Sequence, residues 1–270
     1  MSFSQIGFQE NTMSLFSIFD KQVPGPRAER VRHEAKARTV QVSGVERLTP
    51  GMLRITFTGE ALSDFVSLSP DDHLKLFVPT LTGEIVRRDY TPRRYNQRAK
   101  TLVIDIAIHD AGPATLWALN AKPGDTIQIG GPKSSSVLPS DIRRWLLVGD
   151  ETALPAIGRR IEEAPAGTNI TSIVAVPGPQ DHQAFKTAAN LTAHWAHRPL
   201  AAANDPRPLL DIIKTIDLKP ETFAWVAAEA HVARAIRSWL IDKRGHPKSW
   251  LKAGGYWVVG KADAHDRLDY

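Results

Sequence analysis

The chain has 270 residues, 42% of them hydrophobic and 23% charged, a balance that supports one large or two modest cores and excludes a disordered or fibrous chain. It contains no cysteine, so disulfides, thiolate-held metals, iron–sulfur clusters on cysteine and thiol nucleophiles are excluded. The 34 Lys and Arg against 29 Asp and Glu leave a net charge of +5, an excess that favours anionic small molecules and is too mild to argue for nucleic acid.

Residues 1–30 are polar, with apolar islands at Phe16, Ile18 and Phe19, and close on Pro24-Gly25-Pro26. A partly ordered leader is expected over residues 1–34. The first 21 residues lack the basic and apolar regions of a secretion signal, and no apolar run approaches the roughly 18 residues of a membrane span, so a cytoplasmic location is expected. From 35 to 140 the apolar residues alternate. Thr39–Val42, Met52–Phe57, Leu74–Val78, Thr101–Ile108 and Thr126–Ile129 read as short strands, the last after the turn Pro123-Gly124-Asp125. Strands at this spacing predict a small antiparallel barrel, with one helix near Ala114–Leu119. Beyond Ser140 the runs become continuous: Trp145–Gly149, Ile170–Val176, Leu191–Trp195 and Phe223–Ala228. Such runs suit parallel strands buried on both faces. Helical segments at about Leu154–Ala164, Leu209–Ile216 and His231–Lys243 alternate with them. The predicted fold class is therefore all-β plus α/β, with an N-terminal antiparallel β-barrel over 35–140 and a C-terminal parallel α/β domain over 141–270. A ligand of the second domain belongs at the carboxyl ends of its strands.

Arg88-Asp89-Tyr90-Thr91 places an Arg and a Tyr two residues apart on one strand face. The guanidinium offers a donor fork for a pyrophosphate, the phenol ring a flat surface for a conjugated ring, and Thr91 a group for a ring nitrogen. By itself the stretch also reads as a basic loop, because Arg87, Arg93, Arg94, Arg98 and Lys100 crowd it. Gly112-Pro113-Ala114-Thr115 reads as a loop entering a helix, either a plain helix start or one whose free N–H groups meet a phosphate.

Together these stretches resemble the siderophore-interacting proteins, a flavin-dependent branch of the ferredoxin–NADP reductase superfamily. Arg88, Tyr90 and Thr91 match the family's Arg-x-Tyr-Thr flavin motif. His109, Gly112, Pro113, Ala114, Thr115 and Trp117 match its His-x-x-Gly-Pro-Ala stretch and the helix after it. Gly131-Pro132, the run Gly149-Asp150-Glu151-Thr152-Ala153-Leu154-Pro155-Ala156, the segment Trp225–Glu229 and Gly255-Tyr256-Trp257 follow in order over residues 35–262. The resemblance implies FAD on the barrel, held by Arg88, Tyr90, Thr91, His109, Gly112, Ala114 and Thr115. It implies NAD(P)H or another donor at the second domain, beside Asp150, Thr152, Ala153, Glu229 and Trp257. The implied activity is reduction of ferric siderophores, with electrons passing from NAD(P)H through flavin and ferrous iron released. No side chain is needed as a catalytic acid or base. Two positions depart from the family pattern: Val258-Val259 stands where an Arg follows Tyr-Trp, and Ala228 where a Gly precedes Glu229.

Gly149-Asp150-Glu151-Thr152 lacks the GxGxxG dinucleotide fingerprint, so Thr152 and backbone N–H groups are expected to bind the nucleotide. Lys75 and Lys252 flank motifs expected near the flavin and are the candidate cations for an anionic siderophore. His194, His197 and Arg198 end a predicted parallel strand, as plain strand-end residues or as contacts to a 2′-phosphate. The nine His show no metal-ligand spacing, so no metal site is expected. A ferredoxin as donor, a module that binds ferric chelate without reducing it, and a nucleic-acid binder on Arg87–Lys100 are the competing readings.

Overall fold

A computed structural model of the chain describes residues 24–109, 112–261 and 266–268; the expected leader lies outside the described residues up to residue 23. The first half supplies β1 (Glu29–Arg32), β2 (Ala37–Thr49), β3 (Met52–Thr58), β4 (Leu74–Pro79), β5 (Ile85–Tyr90), β6 (Arg94–Asn96), β7 (Thr101–Ala107), α1 (Pro113–Asn120), β8 (Thr126–Gly130) and β9 (Ser134–Val137). Seven strands form one antiparallel sheet in the order β5-β4-β8-β2-β3-β7-β6. Its edge strands β5 and β6 are joined only by Thr91, Pro92 and Arg93, so this short link draws the edges together and curls the sheet into a barrel. Alternation fills the interior. Val40 and Val42 on β2, Ile55 and Phe57 on β3, Leu74 and Leu76 on β4, and Leu102 and Ile104 on β7 share one buried core. Burial of each such side chain contributes about 1.5–3 kcal/mol. α1 lies on β3, β4 and β7 and adds Ala114 and Ala118 to that core. β1, whose sequence shows no apolar alternation, exists by pairing antiparallel with β9.

The second half supplies β10 (Arg144–Asp150), α2 (Leu154–Glu163), β11 (Asn169–Val176), β12 (Asn190–His197), α3 (Arg207–Ile213), β13 (Thr222–Glu229), α4 (Ala230–Asp242), β14 (Leu251–Trp257) and β15 (Asp266–Arg267). The sheet order is β12-β11-β10-β13-β14-β15, parallel except for β15. Alternate residues of β10 face opposite layers. Trp145 and Leu147 meet Leu154 and Ile157 of α2; Leu146 and Val148 meet Leu209 of α3 and Ile236 of α4. With both faces covered, β13 is buried from Thr222 to Glu229, which is why its run is continuously apolar. Chain order reverses between β10 and β13, and this switch point opens a crevice at the carboxyl ends of the strands. Gly149 lets α2 close onto it, since a Cβ there would stand 2.7 Å from the Ala227 carbonyl oxygen and 2.8 Å from the Ala153 Cβ.

The halves are fastened by apolar and ionic contacts. Met52 and Ala107 of the barrel enter the same core as Leu154 and Val176. Buried Arg159 of α2 donates to Ser67 Oγ at 2.7 Å, to the Ser67 carbonyl at 2.8 Å and to the Pro92 carbonyl at 3.0 Å. Arg93, in the link between β5 and β6, reaches back to Glu162 of α2 at 2.8 Å.

Candidate functional site

On the barrel side, antiparallel register sets Arg88 opposite Leu76 and Tyr90 opposite Leu74, so both occupy one face of edge strand β5. Tyr90 packs against the barrel core. Burial pushes its hydroxyl above the ordinary range, with the Arg88 charge opposing, so the ring stays neutral. Arg88 is half-buried; its Nη1 donates to the Arg87 carbonyl at 2.8 Å, and no carboxylate pairs with it among the described residues. Thr91 is buried directly after the strand. α1 begins at Pro113 behind extended Gly112, with no side-chain cap and no acidic residue in its first turn. Its ladder starts with Leu116 N–H to the Gly112 carbonyl at 3.0 Å, so the N–H groups of Ala114 and Thr115 precede it and leave the positive helix end undischarged. The side chains of Ala114 and Thr115 are buried; the helix start therefore presents backbone N–H groups. An unneutralised guanidinium, a neutral aromatic ring on the same face and an uncapped helix start fit FAD, whose isoalloxazine needs a flat partner and whose pyrophosphate needs donors.

The parallel side is organised by one carboxylate. Asp150 ends β10 and is 1% exposed. Its Oδ1 accepts from the Thr152 N–H at 2.9 Å and the Thr152 hydroxyl at 2.6 Å. Its Oδ2 accepts from the Glu229 N–H at 2.8 Å and from Trp257 Nε1 at 2.9 Å. The Trp257 indole in turn lies nearly parallel to the His109 ring of the barrel, at 5.7 Å and 11°. Glu229 caps α4 by accepting from the His231 N–H at 2.7 Å, and its other oxygen takes the Val259 N–H at 3.3 Å. Ala153 is fully buried ahead of α2. Asp150, Thr152, Ala153, Glu229 and Trp257 therefore do meet at the switch point. Both donors of Thr152 serve Asp150, and Glu229 holds a helix start.

Both candidate capture lysines are engaged in ion pairs. Lys252 Nζ lies 2.5 Å from Asp71 Oδ2, and Trp225 Nε1 donates to the same oxygen at 3.2 Å. It thus binds β14 to the barrel loop before β4. Burial raises the Asp71 carboxyl, but the Lys252 charge and hydrogen bond, with the Ser69 hydroxyl, hold it down at about 2. Lys75 pairs across strands with Asp89 at 2.7 Å, on the opposite face of the β4–β5 hairpin from Arg88 and Tyr90. At the end of β12, Arg198 is buried and paired with Glu151 at 2.9 Å. Burial and neighbouring Asp150 push the Glu151 carboxyl up to about 7 against the pull of Arg198. His197 Nε2 meets His182 Nε2 at 2.8 Å, the His182 ring lying on Trp195, while His194 Nε2 is buried without a partner.

Sequence reasoning missed Asp71, Arg159, Glu162 and His182. Only Asp71 carried a local signal, an acidic pair in Ser69-Pro70-Asp71-Asp72 ahead of a strand. Arg159 and Glu162 bond to barrel residues between 67 and 92 positions away, and His182 to a partner 15 positions away.

Comparison with known proteins agrees with this architecture. Residues 142–260 match the family described as siderophore-interacting protein, and residues 41–87 and 81–136 match the siderophore-interacting FAD-binding domain. The NADPH-dependent ferric-chelate reductase of Escherichia coli strain K12 is 33% identical over 253 residues, covering 85% of this chain and 96% of that protein. The ferric vibriobactin reductase ViuB of Vibrio cholerae is 26% identical over 239 residues, covering 79% and 86%. The crystal structure of a siderophore utilization protein from T. fusca superposes with a TM-score of 0.80 at 31% identity, covering 87% of this chain and 98% of that one.

Proposed function

The chain belongs to the siderophore-interacting protein family, and from that premise we propose that it reduces ferric siderophores, taking electrons from NAD(P)H through FAD and releasing ferrous iron. The observation that carries this reading is the pairing of two half-sites. One is the barrel side, with Arg88 and Tyr90 on β5, Thr91 directly after it and the uncapped start of α1. The other is the crevice at the ends of β10, β13 and β14, joined to the barrel through Trp257 and His109.

Bound FAD supplies the conversion between a two-electron hydride donor and a one-electron ferric acceptor. The chain's own residues bind, orient and insulate. Arg88 and the Ala114 and Thr115 N–H groups neutralise pyrophosphate; Tyr90 offers its ring at the barrel edge; His109 stands beside the crevice. The ionic and apolar fastening by Arg93, Arg159, Lys252 and Met52 fixes the two half-sites relative to each other. Ferric iron is substrate. Its reduction weakens the grip of hard oxygen ligands, which is the chemical basis of release.

Thr152 and Glu229 spend their polar groups inside the protein, which supports weak binding of the nicotinamide nucleotide and keeps a ferredoxin donor as the second reading. A steady-state assay with a ferrous trap, run with NADPH, NADH or reduced ferredoxin, tests the choice. NADPH- or NADH-driven ferrous formation is the expected result. Formation only with ferredoxin overturns the donor assignment, and formation with none of the three overturns the reductase.

A further inference from the structure

We propose that Asp150 is the positioning residue of the nucleotide crevice: its carboxylate holds the Trp257 indole against His109 and so sets the wall at which the nicotinamide nucleotide docks. This rests on the reading that NAD(P)H is the donor.

A carboxylate has about four lone-pair sites. Asp150 fills all of them with protein donors, from Thr152 twice, Glu229 and Trp257. It therefore has nothing left with which to touch a ligand, although it stands at the switch point. What it controls is the arrangement around it. The four donors come from the α2 entry, the end of β13 and the end of β14, three segments that only the folded sheet brings together. Trp257 carries this order across to the barrel, because its ring lies on His109, beyond the parallel sheet. Only an ionised carboxylate accepts from all four donors. An amide turns an N–H2 toward one pair of them, whichever way it faces.

The expected behaviour follows from that loss. In Asp150→Asn, FAD affinity stays within twofold, because Arg88, Tyr90 and α1 are untouched. KM for NAD(P)H rises about tenfold or more, while kcat falls much less, the pattern of lost binding and not of lost chemistry. Trp257→Phe keeps a ring for His109 but donates no N–H, and it reproduces most of the rise. The double variant is no worse than Asp150→Asn alone, since both remove one linkage.

The readout independent of activity is the indole N–H signal of Trp257 in the FAD-loaded protein, identified by its loss in Trp257→Phe. Asp150→Asn should move this signal and speed its exchange with solvent. An unmoved signal, or KM effects that multiply in the double variant, overturns the proposal. If Asp150→Asn does not fold, Trp257→Phe with unchanged KM overturns it. A wild-type protein reduced by neither nicotinamide defeats the donor reading instead, and the indole signal still decides whether Asp150 holds Trp257.

Discussion

Replacing Lys252 by Ala should destabilise the protein and leave substrate capture alone. Lys252 and Asp71 are 25% and 11% exposed and lie 2.5 Å apart, so water screens the pair poorly. Asp71 is held at about 2 against an ordinary 3.8, a depression equivalent to about 2 kcal/mol. Removing Lys252 forfeits most of that and strands a buried carboxylate beside Trp225, so a loss of about 2–4 kcal/mol is expected. For a chain of this size the fall in Tm is about 5–12 °C. The sign in acid is fixed by linkage. A depressed carboxyl contributes stability above 3.8 and loses it as pH falls through about 2, whereas in the variant burial drives Asp71 upward. The gap between wild type and variant therefore narrows on acidification. Urea unfolding at pH 7 and pH 4 measures it, and adding Asp71→Asn to Lys252→Ala should recover part of the loss. A variant with Tm within 1 °C of wild type, but a weaker ionic-strength dependence with an anionic ferric chelate, would refute the clamp and return Lys252 to substrate capture.

Three other changes probe the site. Arg88→Ala should weaken FAD binding about tenfold to a hundredfold by removing a charge-assisted contact, as titration of apoprotein would show. Gly112→Asp should preserve or raise stability, because an extended Asp caps α1, and should still lower FAD occupancy by placing a carboxylate at the helix start; normal yellow protein would exclude α1 from the flavin site. Glu151 sits at about 7 against an ordinary 4.5. Its raised pKa adds stability below 4.5 that is lost as pH rises through 7, by up to about 3 kcal/mol. Glu151→Gln should flatten that slope in urea unfolding between pH 5 and pH 8.

What the sequence revealed and what it hid divide along physical lines. The alternation in Met52–Phe57 and the unbroken run Trp225–Ala228 announce their strands because burial imposes a periodicity on the chain itself. The Arg88, Tyr90 and Thr91 motif could be read from the sequence because its members are sequence neighbours, two on β5 and the third directly after it. β1 was not, since Glu29–Arg32 has no apolar face and owes its strand to β9. Lys252 looked like a surface cation because nothing local marks Asp71, 181 positions away, as its partner. Thr152 looked like a ligand donor for the same reason in reverse: its hydrogen bonds to Asp150 are local, but the role of Asp150 depends on Glu229 and Trp257, which only the folded sheet delivers.

The proposed electron path is tested most directly by an anaerobic titration of the FAD-loaded protein, first with NADPH and then with a ferric siderophore, with a ferrous chelator present and the visible spectrum followed throughout. About one NADPH per flavin should bleach the yellow absorption, ferric siderophore should restore it, and the trapped ferrous iron should amount to about two per flavin, as electron balance requires. A flavin that NADPH bleaches but ferric siderophore leaves bleached, with no ferrous iron trapped, would contradict it.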